Sequence, residues 1–307
     1  MNKRIKGSLI LLLTAVLWGF GFAAQSAGGD AVGALAFNAL RLITATVGMT
    51  PAAAIAMRKR YGGMPKGAAL KRTLAGGLIS GALLAIATNM QQFGVQLTGS
   101  AGKSGFITAL YIIFLPFFGI ITGRRPRWTV WPCVAVAVLG LWFICGAGDL
   151  SHFGTGELLL VLCAICYAAQ ITAVDKTLTP DVDGVVLSFV QFAVASVLSF
   201  IPLAISGFPS GESLGAALPY LLYAGLVSGA VGFTLQIIGQ RDCPPVAAGL
   251  IMSLEAVFSA VGGFILLGQK LTHTEILGCA ILFAAVTAAQ IPVKSKNIKI
   301  PEGESEK

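Results

Sequence analysis

The chain has 307 residues, of which 56% are apolar and only 11% are charged, and its formal net charge is +8. A soluble domain of average composition carries about 25% charged residues, so this composition excludes an ordinary soluble protein. Apolar runs of about 20 residues recur along the chain, each long enough to cross ~30 Å of hydrocarbon as a helix. The sequence therefore predicts an all-α polytopic membrane protein embedded in a lipid bilayer.

Ten apolar runs are found in chain order, and none shows the ~10-residue alternation of barrel strands. The connections between them are short and contain no inserted soluble domain, and the polar tail KSKNIKIPEGESEK is too short to fold alone. The ten predicted transmembrane helices span residues 5–26, 31–57, 69–91, 102–122, 128–147, 155–175, 184–206, 215–239, 245–267 and 273–292.

The first run also resembles a secretory signal peptide, because a basic start precedes an apolar stretch and small residues. Its apolar stretch is longer than such a peptide needs, and it has a counterpart in the second half of the chain. We therefore expect it to remain uncleaved as helix 1.

The basic residues are distributed unevenly between the predicted loops. With the N-terminus inside, only Lys103 and Lys270 fall outside and Arg41 lies within helix 2, while every other Lys and Arg lies on the inner side. This asymmetry is the positive-inside pattern. It predicts a multi-pass protein of the plasma membrane with both termini in the cytoplasm, and it explains the positive charge without a nucleic-acid partner.

The two halves of the sequence resemble each other. GLISGA at 77–82 returns as GLVSGA at 225–230, and GSLILLLTAVLW at 7–18 aligns with GELLLVLCAICY at 156–167. Self-similarity at a fixed spacing indicates a structural repeat. The sequence thus predicts one five-helix repeat in residues 1–150, a second in residues 151–292 and a cytoplasmic tail in residues 293–307.

A repeat with an odd number of helices ends on the side of the membrane opposite to where it began. Its second copy therefore enters the membrane from the opposite side to the first. The predicted fold is therefore two inverted five-helix repeats, an architecture common among secondary transporters, whose binding site lies near mid-membrane between the halves. The glycine pairs Gly77/Gly81 and Gly225/Gly229 place small residues on one helix face. Such a face serves either static close packing or movement between helices.

Three segments resemble the drug/metabolite transporter superfamily, and in particular its EamA family. They are LWGFGFAAQ (17–25), FNALRLITA (37–45) and GLIMSLEAVFSAVGGFILLGQKLTHTEILGCAILFAAV (249–286). Ala256 and Gln269 stand where that family usually has proline and a second glutamate, and GRRP at 123–126 replaces its Gly-Glu. The resemblance implies a ten-helix carrier that exports or takes up small metabolites, often amino acids.

Charged residues inside the predicted helices are the first candidates for a substrate site, because they are costly in hydrocarbon. Arg41 and Glu255 each lie about ten residues into a helix, near mid-membrane. A guanidinium suits a carboxylate, and a glutamate suits a substrate amine or a transported proton. The alternatives are a fixed Arg41–Glu255 ion pair or side chains that reach a polar cavity wall.

Further candidates are Lys103, at a predicted outer helix end, and polar residues within apolar helices. Lys103 would attract an anion at the cavity mouth or simply extend its ammonium to the membrane surface. Each polar residue would line a wet cavity or bond a neighbouring helix. The predicted substrate-binding residues are Trp18, Asn38, Arg41, Asn89, Gln92, Lys103, Tyr111, Tyr167, Gln170, Gln236 and Glu255.

The sequence therefore favours a secondary-active or facilitative transporter of a small polar metabolite, with amino-acid-like or carboxylate-bearing substrates as the narrower hypothesis. A lipid or lipid-linked-sugar flippase of the same fold is the main alternative.

No motif indicates an enzyme, a channel filter or a nucleotide-binding loop, and we expect no cofactor and no bound metal. Cys163 and Cys166 form a CxxC inside an apolar helix, where packing is the expected role. The assembly is expected to be a monomer or homodimer.

Overall fold

The computed structural model describes residues 3–123, 128, 130–144 and 154–290. Within those residues the chain forms ten apolar helices and no strand, which confirms the all-α polytopic class. Eight helices are long and apolar enough to span a membrane, whereas the fifth and tenth are shorter. The helices are α1 (Lys3–Val32), α2 (Ala34–Tyr61), α3 (Gly67–Thr98), α4 (Ala101–Ile121), α5 (Val130–Ile144), α6 (Thr155–Thr177), α7 (Gly184–Ser206), α8 (Gly211–Gln240), α9 (Pro245–Leu267) and α10 (His273–Gln290).

Every predicted helix overlaps an observed one, but α1 and α3 extend beyond their predicted ends. The α1 helix continues through Gly28, where a side chain would collide with the ring of Phe37, and it ends before Gly33, whose φ of 83° breaks the helical path. A helical glycine costs only about 1 kcal/mol relative to alanine, and close packing can offset that cost. The rest of the GRRPR motif after Gly123, and the predicted tail 293–307, lie outside the described residues.

The packing of the helices is symmetric between the two halves. Helix α3 packs on α6 and α7, while its counterpart α8 packs on α1 and α2. Helix α4 packs on α6 and α9, and α9 packs on α1 and α4. The remaining counterparts pack on each other, α2 with α7 and α5 with α10. Exchanging each helix for its counterpart reproduces these main contacts, whereas the smaller contacts of α1 with α2 and of α5 with α9 have no counterpart of similar size.

The repeated glycine motifs contact the opposite half of the molecule. A Cβ on Gly81 of α3 would lie 2.6 Å from the Gln191 carbonyl oxygen of α7, and one on Gly225 of α8 would lie 2.7 Å from Cβ of Thr44 on α2. The backbone conformation of the two copies nevertheless differs. GLISGA lies in regular α-helix, whereas GLVSGA lies in a π-helical segment, Tyr223–Gly232.

Candidate functional site

Helices α4 and α9, which are counterparts in the two halves, are both interrupted near their middle. Leu110 and Leu254 donate their backbone N–H groups to carbonyls three residues earlier, at 3.2 Å in each case, so each helix tightens into a 3₁₀ turn. Tyr111 and Glu255 are the first residues of the helical segments that follow. Interrupted helices at corresponding positions of two repeats are typical of the binding sites of transporters.

Arg41 of α2 is buried and held in place by its own helix. Its Nε donates to Oδ1 of Asn38 at 3.0 Å, and Asn38 Nδ2 donates to Oγ1 of Thr88 at 3.4 Å. Arg41 Nη2 has no hydrogen-bond partner among the described residues. Asn38 and Arg41 therefore share one face of α2, and Nη2 of the guanidinium remains available as a hydrogen-bond donor.

Glu255 is also buried, with 3% of its surface exposed. Its carboxyl group lies close to the hydroxyl of Tyr111, but neither Oε1 nor that hydroxyl makes a hydrogen bond of good geometry within the described part of the chain. Glu255 and Arg41 line the same cavity, yet no ion pair of 4.0 Å or less joins them in the described chain. The structure thus does not show a fixed Arg41–Glu255 ion pair, and both charges face the cavity.

An aromatic cluster centred on Phe233 of α8 forms one wall. The ring centroid of Trp18 lies 4.6 Å from that of Phe233, and the ring centroid of Tyr167 lies 6.4 Å away. Trp18 Nε1 donates to the carbonyl of Ser228 at 3.1 Å, inside the π-helical segment. Trp18 and Tyr167, which occupy equivalent positions in the two repeats, therefore both pack near the ring of Phe233.

The cavity between these groups is small and is lined by both polar and apolar side chains. The centres of water-sized molecules can occupy about 20 Å³ of it, which is room for little more than one water. A metabolite would require the surrounding helices to move apart. The lining consists of Trp18, Phe22, Gln25, Arg41, Gln91, Tyr111, Tyr167, Ile171, Ser228, Phe233, Gln236 and Glu255.

Six of the predicted substrate-binding residues belong to this lining, namely Trp18, Arg41, Tyr111, Tyr167, Gln236 and Glu255. The other five lie outside it. Asn38 supports Arg41, as described above. Lys103 forms an ion pair with Glu157 at the start of α6.

The remaining three predicted residues bond to neighbouring helices. Asn89 donates to Oγ of Ser199 at 2.8 Å, and Gln92 donates to the carbonyl of Gln25 at 2.8 Å. Gln170 donates to Oε1 of Gln191 at 3.1 Å and accepts from Gln236 at 3.3 Å. These residues connect helices around the cavity, which was the alternative role for each polar side chain.

Several lining residues were not among the predicted substrate-binding residues, and they fall into two kinds. Phe22, Ile171 and Phe233 are apolar residues in apolar helices, so no sequence signal separates them from lipid-facing or core residues. Gln91 accepts a hydrogen bond from the hydroxyl of Tyr167 at 3.2 Å. Gln91 is a polar residue in an apolar helix, but so are its neighbours Asn89 and Gln92, so the sequence alone could not show which of the three lines the cavity.

A model of the EamA-like transporter family matches residues 5–146 and again residues 154–289. The chain belongs to the EamA-like transporter family. The resemblance seen in the sequence is thereby confirmed, and the family pattern occurs once in each half. The chain is a multi-pass membrane protein of a transporter family.

Two exporters of the enteric bacteria are similar to this EamA-like transporter over part of their length. The threonine/homoserine exporter RhtA of Escherichia coli K12 is 31% identical over 190 residues, which are 60% of this chain and 61% of RhtA. RhtA of Salmonella typhimurium SL1344 is 34% identical over 175 residues, which are 54% of this chain and 56% of that protein. The matched segment thus spans less than two thirds of these relatives.

Other similarities extend over nearly the whole EamA-like transporter. An uncharacterized transporter of Archaeoglobus fulgidus is 25% identical over 300 residues, covering 95% of this chain and 88% of that one. A solved crystal structure superposes with a TM-score of 0.70 at 18% identity, covering 94% of this chain and 97% of the other. At that identity the structural match supports the fold alone.

Proposed function

We propose that this EamA-like transporter carries a small polar metabolite, amino-acid-like or carboxylate-bearing, across the plasma membrane by alternating access. The observation that carries the proposal is that Arg41 and Glu255, a base and an acid, are buried in one cavity with no ion pair between them in the described part of the chain. A buried charge without a partner costs several kcal/mol. Arg41 Nη2 and Glu255 Oε1 are therefore positions where groups of a substrate gain hydrogen bonds.

The chemistry of the lining suits a zwitterion. The Arg41 guanidinium binds a carboxylate through its unused donor, and Glu255 accepts from an ammonium group. The aromatic wall around Phe233 covers the apolar part of the substrate. Gln25 and Gln236 each have a side-chain oxygen that no described residue hydrogen-bonds, and these oxygens accept from a substrate hydroxyl. Relatives named for the export of threonine and homoserine support this assignment, since both compounds carry a carboxylate, an amine and a hydroxyl.

The symmetric packing of the halves supports the alternating-access part of the proposal. Because the main helix contacts of one half have counterparts in the other, opening toward one side of the membrane is related by the same symmetry to opening toward the other. The interrupted helices α4 and α9 supply the positions at which the lining can bend.

The substrate assignment is tested by exchange of radiolabelled threonine and homoserine in liposomes that contain the purified protein. Arg41→Ala and Glu255→Gln should each reduce exchange by about 10- to 100-fold, since a hydrogen bond to a charged group is worth ~1.5–3 kcal/mol. Running the assay with and without a pH gradient separates coupled from facilitated transport.

Arg58→Gln and Glu212→Gln are matched controls, because they remove the same charges from exposed positions. The proposal is overturned if both cavity variants exchange as fast as these controls. If the wild-type protein instead moves a fluorescent lipid analogue between leaflets and ignores amino acids, the flippase alternative replaces it.

A further inference from the structure

A second cleft lies between α2 and α7, away from the central cavity. It is open to its surroundings, and the centres of water-sized molecules can occupy about 510 Å³ of it. Its lining is formed by Ala52, Ile55, Ala56, Lys59, Arg60, Asp183 and Val185. We propose that this cleft binds an anionic phospholipid, with the phosphate at Lys59 and Arg60 and an acyl chain along the apolar part of α2.

The order of residues on α2 matches the two parts of a lipid. Ala52, Ile55 and Ala56 lie on the same face as Lys59 and Arg60, because residues three and four apart are neighbours on a helix. Ile55 is 55% exposed although it is apolar, which is expected for a side chain in contact with hydrocarbon. The surface thus changes from apolar to basic within one to two turns, as a membrane does between acyl chains and headgroups.

The charges in the cleft favour an anion. The Lys59 ammonium has no hydrogen bond or ion pair among the described residues, whereas the Arg60 guanidinium donates to the carbonyl of Pro180. Asp183 is the acidic residue of the lining, and its Oδ1 atom already accepts from the backbone N–H groups of Val185 at 2.9 Å and Val186 at 3.2 Å. The Asp183 carboxylate is therefore already hydrogen-bonded at the start of α7, and the cleft remains net positive because Lys59 and Arg60 are two cations against one anion.

The fold itself does not demand these cations. In the second half, the repeat counterparts of Lys59 and Arg60 are Ser210 and Gly211, at the spacing that pairs Pro51 with Pro202. The equivalent position on the opposite face therefore carries no positive charge. Basic pockets between helices at the membrane surface are known to bind acidic headgroups.

The test is native mass spectrometry of the purified full-length protein, titrated with dioleoyl phosphatidylglycerol or with dioleoyl phosphatidylcholine. We expect the wild-type protein to retain the anionic lipid preferentially. Lys59→Gln should weaken that binding about fivefold, as each basic residue near a membrane surface contributes ~1 kcal/mol. Lys59 is exposed and unpaired, so its replacement should leave folding intact.

Lys71→Gln is the matched control, since it removes one exposed cation from the start of α3, outside the cleft. A second variant, Ala56→Phe, fills the apolar part of the cleft and should also weaken retention. The proposal is overturned if the two lipids bind equally, if Lys71→Gln weakens binding as much as Lys59→Gln, or if glycerol phosphate alone displaces the lipid at millimolar concentration.

Discussion

Lys103 and Glu157 form an ion pair between the first turns of α4 and α6. Glu157 also accepts from the backbone N–H of Gly154 at 3.0 Å, and its position at a helix N-terminus favours a negative charge. The side chain of Glu157 is only 8% exposed, whereas that of Lys103 is 31% exposed. Lys103 therefore links α4 to α6 through this ion pair and is not one of the residues that line the central cavity.

The unequal burial of the pair predicts unequal effects of removing each partner. Lys103→Ala leaves a buried carboxylate without its cation and should cost on the order of 1–2 kcal/mol, between the values for exposed and fully buried pairs. Glu157→Gln keeps an acceptor for the Gly154 N–H and leaves a lysine that can extend to water, so it should cost less. Thermal unfolding of both variants in detergent measures the difference.

The double variant Lys103→Ala/Glu157→Gln completes the cycle and isolates the coupling between the two residues. Equal destabilisation by the two single variants would contradict the asymmetry. An additive double variant would show that the ion pair contributes nothing.

The charged members of the cavity were visible in the sequence, but the exact lining was not. Arg41 and Glu255 stand out because a charge inside an apolar run is rare and costly. Asn89 and Gln91 are two residues apart on α3, and they point in different directions, Asn89 to Ser199 and Gln91 to Tyr167. Without the position of α7 relative to α6, polarity alone could not decide which amide faces the cavity.

At the scale of helices, the contact of α3 with α7 depends on Gly81. A Cβ at this position would lie 2.6 Å from the Gln191 carbonyl oxygen and 2.7 Å from Cβ of Val194. Gly81→Ala should therefore push the helices apart and destabilise the protein by about 1–3 kcal/mol, despite the better helix propensity of alanine. Thermal unfolding in detergent measures this loss.

Gly102→Ala is the control for this substitution. Gly102 also lies in a helix, but the nearest atom to its Cβ would be Cα of Ala260 at 3.6 Å, which is ordinary contact. Its unfolding temperature should stay near that of the wild-type protein. If Gly81→Ala also leaves the unfolding temperature unchanged, the stability of the protein does not depend on the close contact between α3 and α7.

The helix irregularities show where local sequence stops being informative. GLISGA and GLVSGA differ only at Ile79 and Val227, yet one is α-helical and the other π-helical. The π-helical segment Tyr223–Gly232 packs tightly on α1, because the indole of Trp18 donates to the Ser228 carbonyl and a side chain on Gly232 would collide with that indole. Tertiary contacts therefore decide the conformation. The turn in α4 likewise lies at Leu110, not at Pro116, where the sequence places its most evident helix breaker.

At the scale of the whole molecule, polar contacts join the two halves at two separate places. The loop between α6 and α7 is held by α2 and α3, through a hydrogen bond of 2.9 Å from the Tyr61 hydroxyl to the Asp181 carbonyl and an ion pair of 2.8 Å between Arg72 and Asp181. Lys103 and Glu157 join the halves elsewhere. A transport cycle would have to release these contacts in turn, and the small cavity volume is consistent with a closed state.

The distribution of basic residues leads to a prediction about orientation. Because the α2–α3 loop and the chain ends are basic while the α3–α4 and α9–α10 loops are nearly free of cations, both termini should lie in the cytoplasm. Green fluorescent protein fused after Lys307 should fluoresce, and alkaline phosphatase at the same place should be inactive. Fusions after Leu271, between α9 and α10, should give the opposite result, since removal of one helix reverses the side of the new terminus. Fusions after Met64 and Gly99 test the first half independently, and active phosphatase at Met64 or Lys307 would contradict the proposed orientation.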